Sequence, residues 1–274
     1  MTPNKIGLIA GEGKMPAYIA QKAHANGYEV FVAGVKGNAF PADYPTATAF
    51  TSLRLGQLGA CIRFFKEHGV TQVVMAGRVQ HTSIFSNLMP DLRGAKFLAS
   101  LKNMQTKNIL SRVINEFKKD GIDFASSALF LEDFMPPKGV LSARKPTAEE
   151  DQVITFGYKT AKQLAGMDIG LTCVVSQNAV IAVEGMEGTD RCILRAGDLV
   201  RENADKKTTV AVVKVARPNQ DNRYDLPVLG KGTIETLVKA GFHVLAFEAD
   251  KTLVLDLEEV VKLADKHDIC LTAI

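Results

Sequence analysis

Short apolar runs alternate with segments of helical spacing through the first half of the chain. The apolar runs predict buried strands, and two of the segments between them end at glycines, Gly27 and Gly69, that are typical of helix C-caps. The predicted strands are Lys5–Ala10, Tyr28–Val35, Thr71–Ala76 and Ile122–Ala125, and the predicted helices are Met15–Asn26, Leu55–His68, Leu92–Leu101 and Lys107–Lys119. Such alternation indicates a parallel sheet with helices on both faces, so residues 1–132 are predicted to form a Rossmann-like N-terminal domain.

Residues 133–146 contain three prolines and show little periodicity, which predicts a linker between two domains. Residues 147–274 then mix helices and strands less regularly and include a predicted hairpin turn at Ser176–Asn178. The predicted helices are Thr147–Ala165, Thr189–Leu199, Ile234–Ala240 and Leu257–His267, and the predicted strands are Ile169–Val175, Ala179–Glu184, Thr208–Val215, His243–Phe247, Thr252–Leu255 and Ile269–Ala273. The fold class is therefore α/β, with a second, mixed α/β domain at the C terminus.

The composition says little about the fold but limits the classes of binding partner. The net charge of +3 and the lack of basic segments interleaved with aromatic residues argue against nucleic acid, although a modest positive balance suits an anionic ligand or a membrane face. No apolar run approaches the roughly 18–20 residues that cross a bilayer, and none forms a signal peptide. The four cysteines lie in apolar stretches without metal-site spacing, which predicts buried free thiols and a cytoplasmic protein.

A glycine-rich turn follows the first predicted strand. Gly11 and Gly13 let the backbone approach a phosphate, and the helix after Lys14 offers free N–H groups at its start. The third glycine of the dinucleotide fingerprint is missing, so a tight strand-to-helix turn is the alternative interpretation. Arg78 follows another first-half strand, where it is either a bidentate phosphate ligand or a surface arginine.

An acidic loop lies between a strand and a helix of the second half. Glu184, Glu187 and Asp190 supply three carboxylates, and Gly188 and Thr189 lie among them. Carboxylates on a loop beside phosphates suit Mg²⁺, which takes few protein ligands and completes its shell with substrate oxygens. The alternative is that the threonine and the last aspartate only cap the next helix.

The segment Lys214–Pro227 is the most specific pattern in the chain. A hydrophobic strand opens at Lys214 into a loop that contains Asp221, Asp225 and Arg223. Carboxylates there could hold Mg²⁺ or orient a water molecule, while the cations offset phosphate charge. A solvated loop with ion pairs is the alternative.

A further acidic and basic segment lies near the C terminus. Glu248 and Lys251 either join the same acidic site or pair with each other across a turn.

Together these segments resemble the LpxI-type UDP-2,3-diacylglucosamine pyrophosphatases of lipid A synthesis over nearly the whole chain. The resemblance rests on Gly7–Gly11 with Pro16, Gly77–Val79, Ala182–Glu184, Met186–Asp190, Lys214–Pro227, Thr233–Glu235, Glu248–Ala249 and Lys251–Thr252. It implies two domains with a ligand cleft between them. It also implies Mg²⁺-dependent hydrolysis of UDP-2,3-diacylglucosamine to UMP and lipid X (2,3-diacylglucosamine 1-phosphate).

The resemblance also implies that Asp225, which matches the family's catalytic aspartate, is essential. From residue chemistry we predict that Asp225 holds Mg²⁺ (or Mn²⁺) or orients the water, with support from Asp221 and Glu187. Lys214 and Arg223 are predicted to stabilise charge. The predicted metal set is completed by Glu184, Glu187 and Asp190, and the predicted substrate-binding residues are Gly11, Gly13, Lys14, Arg78, Gly188, Thr189 and Gln220. We expect peripheral contact with the inner face of the inner membrane, and a homodimer.

Three departures from the family pattern concern metal binding more than the reaction class. Thr106–Asn108 stands where the family usually has Gly-Asp-Asp, Gly185 where alanine is usual, and Asp250 where glycine is usual. Two alternatives therefore stay open. One is a non-catalytic UDP-lipid or nucleotide-sugar binding protein, and the other is a hydrolase or transferase that acts on a soluble nucleotide sugar.

Overall fold

The computed structural model describes residues 4–78, 89–101, 106–177, 179–203, 208–218, 223 and 226–274. The described chain up to Leu131 forms one compact unit, and most of the described chain from Glu132 onward forms another. Both units are α/β, as the sequence predicts. The predicted ligand cleft between the domains stays a prediction.

The first unit is built on a parallel five-stranded sheet in the order β3-β2-β1-β4-β5. Its strands are β1 (Lys5–Ala10), β2 (Glu29–Val35), β3 (Ala49–Leu53), β4 (Gln72–Ala76) and β5 (Asp123–Phe124). This order confirms the Rossmann-like prediction. The sequence did not predict β3, because this edge strand is only partly buried and its apolar residues are interrupted by Thr51 and Ser52.

Four helices of the described chain belong to the first unit: α1 (Met15–Ala25), α2 (Leu58–Glu67), α3 (Leu92–Ala99) and α4 (Thr106–Lys118), with a short 3₁₀ helix at Pro41–Asp43. Apolar residues at helical spacing on α2, among them Ile62 and Phe65, face the core and pack against Phe31 and Phe117. The carboxylate of Asp91 caps α3, because its Oδ1 accepts a hydrogen bond of 2.8 Å from the Gly94 N–H.

The second unit contains a mixed six-stranded sheet in the order β6-β13-β11-β9-β7-β8 and a separate parallel pair, β10 with β12. The strands are β6 (Gly139–Val140), β7 (Thr172–Ser176), β8 (Ala179–Val183), β9 (Val210–Lys214), β10 (Val228–Leu229), β11 (Val244–Phe247), β12 (Leu253–Val254) and β13 (Cys270–Ala273). Strands β7 and β8 pair antiparallel, as the predicted hairpin requires. Strand β6 lies in the segment predicted as a linker and pairs antiparallel with β13. Two exposed residues carry no periodicity that could have predicted it.

The helices of the described second unit are α5 (Ala148–Gly166), α6 (Thr189–Asn203), α7 (Lys231–Ala240) and α8 (Leu257–Lys266), and a 3₁₀ helix spans Glu132–Phe134. A capping box begins α5: Thr147 Oγ1 accepts a hydrogen bond of 3.2 Å from the Glu150 N–H, and Glu150 Oε2 accepts one of 2.8 Å from the Thr147 N–H. Within the described ranges, no helix combines the length and the apolar character that crossing a membrane requires.

The two faces of the second sheet bury alternate residues of its strands. On β9, Val210 and Val212 belong to the core that includes residues of α6, α7 and α8, whereas Ala211 and Val213 belong to the core that includes residues of α5. Lys214 is next in this alternation, so it projects on the same face as Val212, towards α6. The strand pattern therefore sets the direction of a lysine that is only 5% exposed.

All four cysteines are free and buried, as their apolar surroundings predict. Burial raises the pKa of Cys61 and of Cys173 to about 12. Burial likewise raises the pKa of Cys192 and of Cys270 to about 11. None of these thiols has the lowered pKa of a nucleophilic cysteine, so thiol chemistry is not part of the site.

Candidate active site

The loops that follow β1 and β4 meet at the carboxyl edge of the first sheet. The N–H of Gly11 donates to the carbonyl of Ala76 over 2.8 Å, and Glu12 exchanges two backbone hydrogen bonds of 2.8 and 2.9 Å with Arg78. Helix α1 begins at Met15, directly after this contact. The structure therefore brings the predicted glycine-rich turn and Arg78 together beside the start of a helix, an arrangement that favours an anion.

The glycines of these two loops serve different purposes. A Cβ atom on Gly11 would lie 2.6 Å from the carbonyl oxygen of Arg78, and one on Gly77 would lie 2.7 Å from the carbonyl carbon of Gly11. These two glycines are required by the close approach of the backbones. Gly13 has a positive φ of +110° and open space around it, and it is exposed together with Lys14 and Arg78, so these three residues are accessible to a ligand.

Replacing Gly11 with alanine is expected to destabilise the protein by about 1–3 kcal/mol, because the new methyl group forces two hydrogen-bonded loops apart. Gly232→Ala is the matched control, since this glycine of α7 has no atom within 4 Å of the added carbon and a helix gains up to about 1 kcal/mol from the change. Urea unfolding at 25 °C measures both variants. Wild-type stability in Gly11→Ala would contradict the contact.

In the second unit, three of the predicted segments converge on one edge of the sheet. Strands β9 and β11 run parallel and end there at Lys214 and just before Glu248. Strand β7 runs the other way and begins there with Thr172 opposite Lys214, and β8 ends there just before Glu184. Chain direction and register thus place Thr172, Glu184, Lys214 and Glu248 at the same edge.

A buried lysine and a carboxylate are linked at this edge through a threonine hydroxyl. Lys214 Nζ donates to Thr189 Oγ1 over 2.7 Å and lies 3.4 Å from Thr172 Oγ1. Thr189 Oγ1 in turn donates to Glu184 Oε1 over 2.9 Å, and Glu184 Oε2 accepts from the Leu171 N–H over 3.2 Å. We call Lys214, Thr189, Thr172 and Glu184 the Lys214 network. It places a positive charge at the start of α6, where phosphate oxygens could meet both the lysine and free N–H groups.

The sequence motifs contain three members of the Lys214 network, Lys214, Thr189 and Glu184, but not Thr172. This threonine opens an apolar strand, and its hydroxyl gains significance only from the antiparallel register that sets it opposite Lys214. The available signal was weak: a polar residue at the end of a predicted strand, in a hairpin whose partner carries the acidic loop.

The remaining acidic residues of the loop lie apart from this network. Glu187 Oε1 accepts from Arg195 over 2.5 Å, and its Oε2 accepts from the Gly185 N–H over 3.0 Å. The hydrogen bond from Arg195 is the main reason that the pKa of Glu187 is lowered. Asp190 is exposed in the first turn of α6, where a carboxylate complements the helix dipole.

Among the residues that the structure describes, no group of three or more His, Cys, Asp or Glu side chains could hold a metal ion. The carboxylates of Glu184 and Glu187 accept hydrogen bonds from different partners and do not form a metal site by themselves. Gln220, Asp221 and Asp225 lie outside the described residues, so their predicted roles stay predictions. Arg223 is described and half-buried.

A second ionic group surrounds the buried Glu248, where the chain continues from β9. Lys162 of α5 donates to both carboxylate oxygens of Glu248, over 2.9 and 3.1 Å, and to the carbonyl of Ala216 over 2.8 Å. Lys251 Nζ donates to Glu248 Oε1 over 2.8 Å, and the Ala216 N–H donates to Oε2 over 2.9 Å. We call Glu248, Lys162, Lys251 and the backbone of Ala216 the Glu248 cluster.

The carboxylate of the Glu248 cluster stays ionised at neutral pH. Burial would raise the pKa of Glu248, but the hydrogen bonds from Lys251, Lys162 and the Ala216 N–H outweigh burial, and the pKa is lowered. Of the two interpretations left open by the sequence, pairing of Glu248 with Lys251 is confirmed. The participation of Lys162 was not predicted, because nothing in the sequence distinguishes it from other helix lysines.

Comparison with known proteins gives a consistent result for both units. The LpxI N-terminal domain matches residues 5–134, and the LpxI C-terminal domain matches residues 137–272. The UDP-2,3-diacylglucosamine pyrophosphatase LpxI of Caulobacter vibrioides is 34% identical over 269 residues, which cover 95% of this chain and 94% of that protein.

Likeness to solved structures is low. The UDP-glucose-4-epimerase of Stenotrophomonas maltophila is 10% identical with a TM-score of 0.32 and covers 97% of this chain and 98% of its own. The biotin carboxylase domain of Hydrogenobacter thermophilus 2-oxoglutarate carboxylase is 10% identical with a TM-score of 0.29, over 77% of this chain and 44% of its own. Neither likeness carries an argument. With both domain matches and the Caulobacter relative spanning nearly its full length, the chain belongs to the LpxI family.

Proposed function

We propose that this protein hydrolyses the diphosphate of UDP-2,3-diacylglucosamine in lipid A biosynthesis and releases UMP and lipid X. Family membership and the activity named for the Caulobacter relative support the reaction class. The observation that carries the proposal is the Lys214 network, which places a buried cation at the sheet edge just before the loop of Asp221 and Asp225.

The chemistry requires water to attack a phosphorus while the bond from that phosphorus to the bridging oxygen breaks. One phosphate keeps the water oxygen, and the other leaves with the bridging oxygen. Because both phosphates are anionic, lowering the barrier depends mainly on neutralising charge and on positioning the water. A lysine that is only 5% exposed interacts more strongly with a phosphate than a surface lysine does, since little water screens it.

Asp225 and Asp221 are proposed to hold Mg²⁺ or to orient the attacking water, and Mn²⁺ is a possible substitute. When bound, the ion would neutralise phosphate charge. The described carboxylates fit a supporting role only, because Glu184 is already hydrogen-bonded to Thr189 and Leu171, and Glu187 to Arg195. Arg223 is proposed to act with Lys214 on the charge of the bridging oxygen.

The first unit is proposed to receive the anionic nucleotide end. Exposed Lys14 and Arg78 lie on adjoining loops at the carboxyl edge of a parallel sheet, beside the start of α1. In open α/β sheets, ligands bind outside the carboxyl ends of the strands. For the acylated end, peripheral contact with the inner face of the inner membrane is proposed, together with a cytoplasmic location and a homodimer.

Release of UMP from UDP-2,3-diacylglucosamine tests the proposal. Purified protein is incubated with the substrate in Mg²⁺, in EDTA, and in EDTA followed by excess Mg²⁺ or Mn²⁺. We expect metal-dependent release of UMP and lipid X in equal amounts. Binding of the UDP-lipid without release would favour the non-catalytic alternative, and equal turnover of UDP-sugars that lack acyl chains would favour the soluble-substrate alternative.

A further inference from the structure

One short segment holds both ends of the loop that carries Asp221 and Asp225. At the first end, Glu248 accepts the Ala216 N–H, and its own N–H donates to the carbonyl of Lys214 over 3.0 Å. At the second end, the Leu253 N–H donates to the carbonyl of Pro227 over 2.9 Å, and β12 continues the contact as the parallel partner of β10. Residues 248–254 therefore fix where the loop of residues 216–227 begins and ends.

The first end is held by charged hydrogen bonds in a buried place. Glu248 is 4% exposed. Lys162 bonds the carbonyl of Ala216 while Glu248 bonds its N–H, so both polar backbone groups of this residue are fixed by charged side chains. Such hydrogen bonds are roughly twice as strong as neutral ones. Ala216 is therefore held firmly two residues after Lys214 and five residues before Asp221.

The carboxylate of Glu248 has no capacity left for direct chemistry. Its Oε1 accepts from Lys162 and Lys251, and its Oε2 accepts from Lys162 and the Ala216 N–H. A carboxylate offers about four acceptor sites, so this one is saturated. Glu248 is thus a poor metal ligand and a poor general base in this arrangement, although it lies at the same sheet edge as Lys214.

We propose that Glu248 and Lys162 are positioning residues of the reaction, which fix the start of the catalytic loop at Ala216 while the pairing of β10 with β12 fixes its end. This inference rests on the proposed function, because only then does the loop carry out chemistry. A misplacement of about 1 Å in a catalytic group costs up to about a hundredfold in rate, so a firmly fixed loop end is worth a large factor in kcat.

Steady-state kinetics and thermal unfolding of three variants test the inference: Glu248→Gln, Lys162→Met, and the double variant. Each single change is expected to lower kcat by about 10- to 100-fold with KM nearly unchanged. Each also lowers the Tm, because Glu248→Gln leaves Lys162 and Lys251 without their carboxylate and Lys162→Met removes one of the two cations paired with the buried Glu248. The double variant removes the Lys162–Glu248 pair and leaves only the exposed Lys251 of the cluster charged, so it is expected to recover much of the Tm while kcat stays low.

Glu150→Gln is the matched control. Like Glu248, Glu150 is buried and paired with a cation, in this case Arg144. It lies on the same helix as Lys162, about 18 Å away along the helix axis. This change is expected to lower the Tm but to leave kcat unchanged at temperatures where the variant is folded.

The possible outcomes separate the two proposals. Folded Glu248→Gln and Lys162→Met with wild-type kcat would overturn the positioning role while leaving the proposed function intact. If the double variant recovers kcat together with the Tm, the Glu248 cluster contributes only to stability and has no positioning role. If the wild-type protein releases no UMP, the proposed function fails and the positioning role fails with it.

Discussion

Asp225→Ala is expected to lower kcat for UMP release by at least about a thousandfold while the dissociation constant for UDP-2,3-diacylglucosamine changes only a few-fold. Asp225 is predicted to be the catalytic residue, and it follows the buried Lys214 by eleven positions in the sequence. Its carboxylate is proposed to hold the metal or to orient the water, and either contribution would grow as the transition state forms. Substrate binding depends on many other contacts, so affinity survives.

Single-turnover release of UMP and equilibrium binding of the substrate in EDTA measure the two quantities separately. Asp221→Ala serves as the comparison, since a supporting carboxylate in the same loop should cost less. Near-normal turnover of Asp225→Ala, with Asp221→Ala the more damaged variant, would exchange the roles of the two aspartates. Near-normal turnover of both variants would show that neither aspartate is needed for the reaction.

Lys214→Met is expected to lower kcat/KM by about a hundred- to a thousandfold, because a buried cation beside developing negative charge has no substitute from solvent. The protein should remain folded. Methionine fills a similar volume, and Glu184 keeps its hydrogen bonds from Thr189 and the Leu171 N–H after the lysine is lost.

The threonines of the Lys214 network provide graded comparisons. Thr189→Val should cost more activity than Thr172→Val, because Thr189 lies 2.7 Å from the ammonium and also bonds Glu184, whereas Thr172 lies 3.4 Å away. Initial rates at low substrate concentration give kcat/KM for all three variants. Equal losses in the two threonine variants, or a kcat/KM for Lys214→Met within threefold of wild type, would contradict the role given to the lysine.

Strands could be predicted from the sequence where they are buried, because burial requires a continuous run of apolar residues. The strand Lys5–Ala10 is buried along most of its length and its bounds were predicted correctly, while β3, which is only partly buried, was missed. The two-residue strands β6 and β10 were also missed, since they are formed by pairing with β13 and β12 and not by any local pattern.

In the candidate site, too, local features could be predicted and long-range contacts could not. Its chemistry-bearing residues could be named from local motifs, and the adjacency of Gly11 and Arg78 followed from their positions after parallel strands. The register that sets Thr172 opposite Lys214 could not be predicted, because it depends on contacts 42 residues apart. The same holds for Lys162, which meets Glu248 across 86 residues of sequence.

The four buried cysteines can report unfolding, because they react with thiol reagents only when the protein opens. Thiolates attack alkylating reagents, and at neutral pH a thiol whose pKa lies at about 11 or 12 is almost entirely protonated as well as inaccessible. Each adduct therefore records an opening event. Since Cys61 belongs to the first unit and Cys173, Cys192 and Cys270 to the second, peptide mass spectrometry after brief labelling reads the opening of each unit independently, with no engineered label.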